Sequence, residues 1–150
     1  MLAEVQAIWQ LTLDAYLPDR DRIHPPSGVF KESVDDVRRA IAEGAIFVAL
    51  RGDDIVGAAR VRPDEGDTQA LYCGRLAVLP AEQGAGIGSA LMQHIEDHAR
   101  EAGFTAVTLG ARLELSENVR FYLKRGYRVV REESHAGYTT PTFAWMRKEL

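Results

Sequence analysis

Apolar positions in the first third of the chain recur with the spacing of helices. The stretch over residues 3–17 repeats apolar side chains near the helical period of about 3.6 residues and stops before Pro18. A second helical stretch runs from about Val34 to Glu43. Between them, residues 18–32 carry three prolines and a glycine and show no period. The pattern therefore predicts two helices joined by a long loop, and loops of this length often have functional roles.

The remainder of the chain consists mostly of short apolar runs separated by turn residues, which is typical of strands. Two further helical stretches interrupt these runs, one from Ser89 to about Ala102 and one that ends at Arg125. The predicted strands are Ala45–Leu50, Ile55–Arg62, Ala70–Val78, Thr105–Ala111, Tyr127–Glu132 and Thr142–Lys148. Because a helix returns from the third predicted strand to the fourth, these two strands should be parallel and the sheet should be mixed.

The ends of the predicted helices carry recognisable signals. Ser33 and Asp36 have the spacing of a capping box, and Ser116 is expected to cap the last helix. Three predicted helices are followed directly by a glycine: Gly44, Gly103 and Gly126. Gly74, inside the third predicted strand, indicates a β-bulge or a close approach of another backbone.

The third predicted strand leads through Pro80 into a glycine-rich segment that opens a helix. Gly84, Gly86 and Gly88 alternate with small residues there. The N–H groups at a helix start have no partner within the helix, and the macrodipole adds partial positive charge. Glycine lets an anion approach the backbone because no Cβ intervenes. The segment therefore predicts an anion-binding loop, with a purely structural tight turn as the alternative.

Two familiar nucleotide-binding loops do not fit this segment. A phosphate-binding P-loop ends in Gly-Lys-Ser/Thr, and this loop contains no lysine. The dinucleotide fingerprint places glycines at positions one, three and six, but the sixth position is Ser89 counted from Gly84 and Leu91 counted from Gly86. The pattern that remains is Gln-x-x-Gly-x-Gly over residues 83–88.

Composition limits the functions to be considered. The length of 150 residues fits one domain, and the formal net charge of −4 argues against a nucleic-acid partner. The chain has no run of 18 apolar residues, so no membrane span is expected. Cys73 is the single cysteine, which fits a reducing compartment, and we expect a cytoplasmic location. His94 and His98 have metal-ligand spacing without an evident third ligand, so no metal is expected.

Two separated segments resemble the GNAT superfamily of acyl-CoA N-acyltransferases. Residues 76–92, LAVLPAEQGAGIGSALM, look like the family's acyl-CoA motif. Residues 118–130, NVRFYLKRGYRVV, look like its later motif, in which a tyrosine stands four residues before a glycine and an aromatic residue. Tyr122 and Gly126-Tyr127 have that spacing.

The resemblance implies an α/β (α+β) fold of three layers, with a mixed central β-sheet, helices on both faces and splayed central strands. We expect residues 1–150 to form a single domain of this kind. The family usually opens with a strand before its first helix, whereas the apolar pattern of this chain begins within that helix. We therefore expect the chain to lack this strand, at the cost of one edge of the sheet.

The resemblance also implies transfer of an acetyl group from acetyl-CoA to a primary amine by direct attack in a ternary complex. Tyr122 matches the family's usual general acid, and a backbone N–H near Leu76 would face the thioester oxygen. Asn118 stands one turn before Tyr122 and would face the same site. The residues expected to bind the co-substrate are Leu76, Ala77, Val78, Gln83, Gly84, Ala85, Gly86, Ile87, Gly88, Ser89 and Asn118.

Two features depart from the family pattern. The glycine loop contains no Arg or Lys, so its backbone and the helix dipole must carry the binding of the pyrophosphate. The strand residues 72–75 contain no carboxylate, which leaves the general base open, with Glu65, Glu114 and His135 as candidates acting through water. Cys73 is the candidate for a covalent route, although a small core residue is the favoured interpretation.

By the same resemblance, the acceptor enters between residues 18–32 and residues 133–141. Both segments mix aromatic, acidic and His side chains, which fits a small-molecule amine and a peptide N-terminus equally well. The alternative to an enzyme is a non-catalytic acyl-CoA-binding regulatory module on the same fold. Edge strands at the C-terminus are compatible with a homodimer.

Overall fold

The computed structural model describes residues 2–150, and in these residues it has four helices and six strands. The helices are α1 (Leu2–Tyr16), α2 (Val34–Glu43), α3 (Ile87–Glu101) and α4 (Ser116–Lys124). The strands are β1 (Ala45–Arg51), β2 (Asp54–Pro63), β3 (Ala70–Val78), β4 (Ala106–Arg112), β5 (Arg128–Glu133) and β6 (Phe143–Glu149). Within residues 2–150, no helix combines the length and the apolar character that crossing a membrane requires.

The six strands form one mixed sheet in the order β1-β2-β3-β4-β6-β5. Only the pairing of β3 with β4 is parallel, as expected for two strands joined by a crossover through α3. These two strands pair only over Ala70–Tyr72 and Ala106–Thr108 and separate beyond these residues. We call the gap between them the split. The predicted mixed sheet and its splayed central strands are thus confirmed.

Helices cover both faces of the sheet. One core cluster joins the first two helices to β2, with Val5, Ile8, Leu11, Val37 and Ala58 as its buried members. The other core lies on the opposite face, where Met92, Ile95 and Ala99 of α3 pack against alternate residues of the central strands. The side chains of α4 that border this second core include Val119, Phe121 and Tyr122. The three-layer α/β fold is therefore as predicted.

A bulge interrupts β3 beside the split. The pairing with β2 moves from Ala77↔Ala58 to Gly74↔Arg60, so β3 has one residue more than its partner in this interval. Arg75 takes a positive φ of 54° there, which is unusual for a residue with a side chain. The bulge predicted from Gly74 is confirmed, and it turns Arg75 and Leu76 out of the regular strand geometry.

Helix ends agree with the sequence signals except at two places. The capping box of α2 is present, since the Ser33 hydroxyl accepts from the Asp36 N–H at 3.1 Å and the Asp36 carboxylate accepts from the Ser33 N–H at 2.9 Å. Gly103 and Gly126 take φ values of 88° and 96° just after α3 and α4. Gly44 ends α2 for another reason, because an added Cβ would lie 2.1 Å from the carbonyl oxygen of residue 61.

Two helix starts differ from the predictions. Ser116 is the first residue of α4 and not its cap; the preceding Leu115 holds the capping position and offers no side-chain hydrogen bond. The third helix begins at Ile87, two residues before the predicted Ser89, because Gly86 provides the left-handed capping conformation. Residues 18–32, predicted as a loop, also contain one short 3-10 helix, Gly28–Lys31, and most of another, Leu17–Asp19.

Candidate active site

The glycine loop lies at the start of α3 and exposes its backbone. Gly84 and Gly86 have φ values of 88° and 82°, and a Cβ on either would meet nothing within 4 Å. The first hydrogen bond inside the helix joins the Ala90 N–H to the Gly86 oxygen at 3.0 Å. Among the described residues, the N–H groups of residues 84–89 have no protein acceptor. This arrangement fits a bound pyrophosphate, for which backbone donors are required.

Gln83 faces the strand and not the open side of the loop. Its Nε2 donates to the Val78 oxygen at 3.2 Å, which closes the turn between β3 and α3. Gly88 lies at the contact between α3 and α4, where a Cβ would be 3.7 Å from the Phe121 ring. The two sequence motifs are therefore in contact across the split.

Tyr122 lies on the side of α4 that borders the core. Its ring packs edge-on against Phe121 and Tyr127, with ring centroids 5.1 and 5.8 Å apart. Burial raises the pKa of Tyr122 well above its usual value of about 10. Its hydroxyl has no hydrogen-bond partner among the described residues. Asn118, one turn earlier, is exposed, and its N–H donates to the Leu115 oxygen at 2.9 Å.

Sequence reasoning did not identify Tyr16 as a residue of this region, since it counted only as an apolar position of the first helix. Its hydroxyl donates to the Leu76 oxygen at 3.1 Å and so ties the end of α1 to the bulge of β3. Burial raises the pKa of Tyr16 to about 12, so the phenol remains a donor at neutral pH. The bond holds Leu76, the expected oxyanion residue, in place.

Cys73 belongs to the core on the α3 side. It is buried, and its Sγ lies 4.0 Å from the Met92 sulfur. Burial raises the pKa of the Cys73 thiol to about 12, so it is not a thiolate at neutral pH. This environment favours the structural interpretation over a covalent route.

The Glu32 side chain brings a carboxylate to residues 72–75 of β3, which contain no carboxylate of their own. Glu32, at the end of the α1–α2 loop, accepts from both Arg60 Nη atoms at 3.1 and 2.8 Å and from Arg75 Nε at 3.0 Å. Burial alone would raise the pKa of Glu32, but the hydrogen bonds and charges of the two arginines outweigh it and hold the pKa below its usual value. No local sequence signal marked Glu32, because its partners are 28 and 43 residues away.

The three candidate bases occupy different places. The Glu65 side chain is 90% exposed in the β2–β3 turn, at the end of β3 remote from the split. Glu114 follows β4, and its Oε1 accepts from the His24 N–H at 2.8 Å. Burial and the nearby Arg112 charge lower the pKa of His135, which keeps its ring neutral at pH 7.

The α1–α2 loop crosses to the segment that follows β4. Arg112 Nη1 donates to the Pro25 oxygen at 2.7 Å, and Arg22 pairs with Glu117 of α4 at 2.7 Å. Together with the bond between His24 and Glu114, these contacts bring the predicted acceptor loop against the C-terminal end of β4. A cavity of about 250 Å³ lies beside this loop, with Glu32, Arg60, Tyr72, Gly74 and Arg75 among its lining residues.

His94 and His98 pack edge-on against the Phe47 ring, with centroids 5.4 and 5.1 Å away. The described residues contain no cluster of three or more side chains that could hold a metal ion. The structure thus gives the two histidines a packing role on α3.

Comparison with known proteins agrees with this geometry. The acetyltransferase (GNAT) family matches residues 5–127. The chain is 29% identical over 117 residues to YjcF, an uncharacterized N-acetyltransferase of Bacillus subtilis, covering 78% of this chain and 77% of that protein. It is 33% identical over 95 residues to an aminoalkylphosphonate N-acetyltransferase of Salmonella typhimurium, covering 61% and 59% of the two chains.

Solved structures of N-acetyltransferases share the fold at low identity. The PaiA N-acetyltransferase of Thermoplasma acidophilum, in complex with coenzyme A, superposes with a TM-score of 0.80 at 16% identity, over 99% of this chain and 94% of that one. An aminoglycoside 6'-N-acetyltransferase, also with coenzyme A, gives a TM-score of 0.75 at 17% identity, over 97% and 89% of the chains. The family match, the splayed sheet and the open glycine loop together show that this chain belongs to the acetyltransferase (GNAT) family and is an acyl-CoA N-acyltransferase.

Proposed function

We propose that the enzyme transfers an acetyl group from acetyl-CoA to a primary amine by direct attack in a ternary complex. The observation that carries this proposal is the split between β3 and β4. Leu76 and the glycine loop lie on the β3 side of the split, and α4, which carries Tyr122, packs beside β4. An acyl thioester in the split would therefore lie between a backbone donor and a phenol.

The loop supplies the anion-binding part of the site. Six N–H groups, from Gly84 to Ser89, are available for the pyrophosphate at the positive end of the α3 dipole. The peptide-like pantetheine arm would run along Ala77 and Val78, which pair with β2 on one side and have no β4 partner on the other. Pairing with the Val78 oxygen would displace the Gln83 amide, which is exposed and free to turn toward the ligand.

The bulge supplies the oxyanion donor. Tyr16 already binds the carbonyl oxygen of Leu76, which fixes the orientation of this peptide segment. The N–H near Leu76 would then donate to the thioester oxygen as negative charge develops on it. One such donor is typically worth about 3–4 kcal/mol of transition-state stabilisation.

Tyr122 would act as the general acid that protonates the leaving sulfur. The amine nitrogen forms a bond to the acyl carbon, the carbon–sulfur bond breaks, and the sulfur takes a proton from the phenol or through it. Because burial raises the pKa of Tyr122, the hydroxyl stays protonated at neutral pH and donates a hydrogen bond to the developing thiolate. Proton return to Tyr122 from solvent completes the cycle.

The amine must lose a proton before or during the attack. The groups that would receive it through water are His135, which lies near Arg112, and Glu114, which accepts from the His24 N–H. Glu65 lies in the β2–β3 turn, at the other end of β3. The lowered pKa of His135 leaves its ring able to accept a proton at pH 7. We place the reaction in the cytoplasm, a reducing setting that suits the free thiol of Cys73.

The test is an amine panel assayed for free thiol released from acetyl-CoA, with mass spectrometry of the acetylated product. We expect amine-dependent release of one thiol for each acetylated amine. Propionyl-CoA and butyryl-CoA, assayed in parallel, measure the preference for acetyl over longer chains. Thermal stabilisation by acetyl-CoA without turnover of any amine would instead support a non-catalytic binding module.

A further inference from the structure

Two arginines flank the split on the face of the sheet opposite α3. Arg75 lies in the β3 bulge beside Leu76, and Arg112 is the last residue of β4. Both guanidinium groups reach the same segment of the α1–α2 loop, where Arg75 binds Glu32 and Arg112 binds the Pro25 oxygen. One arginine therefore lies on each side of the split, Arg75 next to Leu76 in the chain and Arg112 at the end of β4.

The charges in this region do not cancel. Glu32 is shared between Arg60 and Arg75, so one carboxylate serves two guanidinium groups. Glu114 lies near Arg112, but its Oε1 is bound to a backbone N–H and it forms no ion pair with Arg112 among the described residues. Three guanidinium groups thus face two carboxylates, which leaves an excess of positive charge beside the split.

Both arginines also keep unused donors. Arg75 uses Nε for Glu32, and among the described residues its two terminal nitrogens make no hydrogen bond. Arg112 uses Nη1 for a carbonyl oxygen and has no bound carboxylate in the described part of the chain. Burial lowers the pKa of Arg112 and the positive charge of Arg75 adds to this effect, so a bound anion would stabilise both charges. Guanidinium groups bind carboxylates and phosphonates with paired hydrogen bonds.

Building on the proposed function, we propose that the acceptor is a small amine with an anionic group, whose carboxylate or phosphonate is bound by Arg75 and Arg112. We expect a short chain between the amine and the anion, because Arg75 and Leu76, whose N–H would face the thioester oxygen, are neighbouring residues of the β3 bulge. A small acceptor is favoured over a peptide because three contacts of residues 22–25 with β4 and the segment after it bridge this side of the entrance.

The test compares amines of similar length that differ in the charge at the far end: β-alanine, 2-aminoethylphosphonate, propylamine and 1,3-diaminopropane. A tetrapeptide with an N-terminal aspartate is the peptide arm. We expect kcat/KM for at least one anionic amine to exceed that for propylamine by about 10- to 100-fold, and the diamine to be the poorest small substrate. The two anionic compounds distinguish a carboxylate-binding from a phosphonate-binding site.

Variants locate the charge recognition. In Arg112→Gln, KM for the preferred anionic amine should rise by about 10-fold or more, and the anionic-to-neutral ratio of kcat/KM should fall. Arg112→Lys should recover part of that ratio, which a merely structural role would not predict. Arg131→Gln, an exposed arginine on β5, is the matched control and should leave the ratio unchanged.

Calorimetry in the presence of saturating coenzyme A, which occupies the glycine loop, gives a readout that does not need turnover. β-Alanine or the phosphonate should bind wild type and bind Arg112→Gln at least about 10-fold more weakly. Turnover with equal or better use of propylamine, the diamine or the peptide would overturn this inference while the proposed acetyl transfer stands. Binding of an anionic amine without any turnover would support this inference and overturn the proposed acetyl transfer. If neither anionic amine bound, the inference would be wrong.

Discussion

The tyrosines around the split differ in what their hydroxyl groups contact. Tyr16 donates to the Leu76 oxygen, and Tyr127 donates to the buried Glu96 carboxylate at 2.9 Å. The Tyr122 hydroxyl has no partner among the described residues. A buried hydroxyl that binds protein contributes to stability, whereas an unpaired hydroxyl that faces a split is available to a ligand. This difference distinguishes Tyr122, the proposed general acid, from the two tyrosines whose hydroxyl groups bind protein atoms.

The exchange Tyr122→Phe removes the proposed proton donor and keeps the ring that packs on the core. We expect kcat to fall by about 100-fold or more, because water then has to protonate the leaving sulfur, with little change in the melting temperature. Stopped-flow detection of thiol release and differential scanning fluorimetry measure the two quantities.

The matched control is Tyr127→Phe, which has the opposite expectation. It leaves Glu96 without one of its hydrogen bonds and should lower stability by about 1–3 kcal/mol while kcat stays near the wild-type value. If Tyr122→Phe kept wild-type kcat between pH 6 and pH 9, the general-acid assignment would be wrong.

At the scale of elements, the start of α3 is proposed to bind the pyrophosphate through its backbone N–H groups and not through any one side chain of the loop. Gly86 caps the helix with a left-handed φ, and the preceding Gly84 takes the same region. These two conformations leave the N–H groups of the segment open on one side. A helix start with free donors and no basic side chain binds anions through its backbone.

The exchange Gly86→Glu tests this element. A side chain at φ 82° is strained, and a carboxylate beside the pyrophosphate site repels it electrostatically. We expect the dissociation constant for acetyl-CoA to rise by about 10-fold or more, measured by titration calorimetry.

Gly103→Glu provides the matched control at the other end of α3. Gly103 has a φ of 88°, and a Cβ there also meets nothing within 4 Å, so the backbone strain is comparable. Both variants should lose similar thermal stability, and only Gly86→Glu should lose affinity. Unchanged affinity in Gly86→Glu would disprove the loop assignment.

For the whole molecule, Glu32 connects the helical layer to the sheet. Its carboxylate binds arginines of β2 and β3 from the end of the α1–α2 loop, and the side chains of Glu32 and Arg60 are only 15% and 13% exposed. A carboxyl whose pKa is depressed in the folded protein stabilises it above the unfolded-state pKa of about 4.3, and this stabilisation is lost as pH falls through the folded value.

We therefore expect Glu32→Gln to lower the free energy of unfolding by about 1–3 kcal/mol at pH 7, since it leaves two partly buried guanidinium groups short of a partner. The difference from wild type should shrink as pH falls below about 4, because wild type then loses the same charge. Chemical denaturation at pH 7 and pH 3.5 measures both values. Glu101→Gln, on the exposed end of α3, is the control, and a pH-independent difference for Glu32→Gln would contradict this account.

Local patterns predicted the helices and strands well, because the formation of these elements depends largely on residues that are neighbours in the chain. The bounds of α2 and β3 agree with the apolar runs, and the capping box and the β3 bulge were visible in Ser33, Asp36 and Gly74. Misplaced starts, as at Ser116, arose where the capping residue offered no side-chain signal. Gly44 was located correctly, but its cause, contact with residue 61 of another strand, is not encoded locally.

The sequence by itself determined the order of elements, the glycine loop at the start of α3 and the family, because spacing and backbone preference are local properties. Only the tertiary structure decided which distant side chains and backbone groups meet. Tyr16 reaches residue 76, Glu32 joins Arg60 to Arg75, and Arg112 reaches residue 25. These contacts span 28 to 87 positions of chain and depend on how the α1–α2 loop crosses the split. The proposed acceptor side therefore depends on the tertiary structure, while most of the residues proposed to bind the coenzyme belong to residues 76–89 and could be found from sequence.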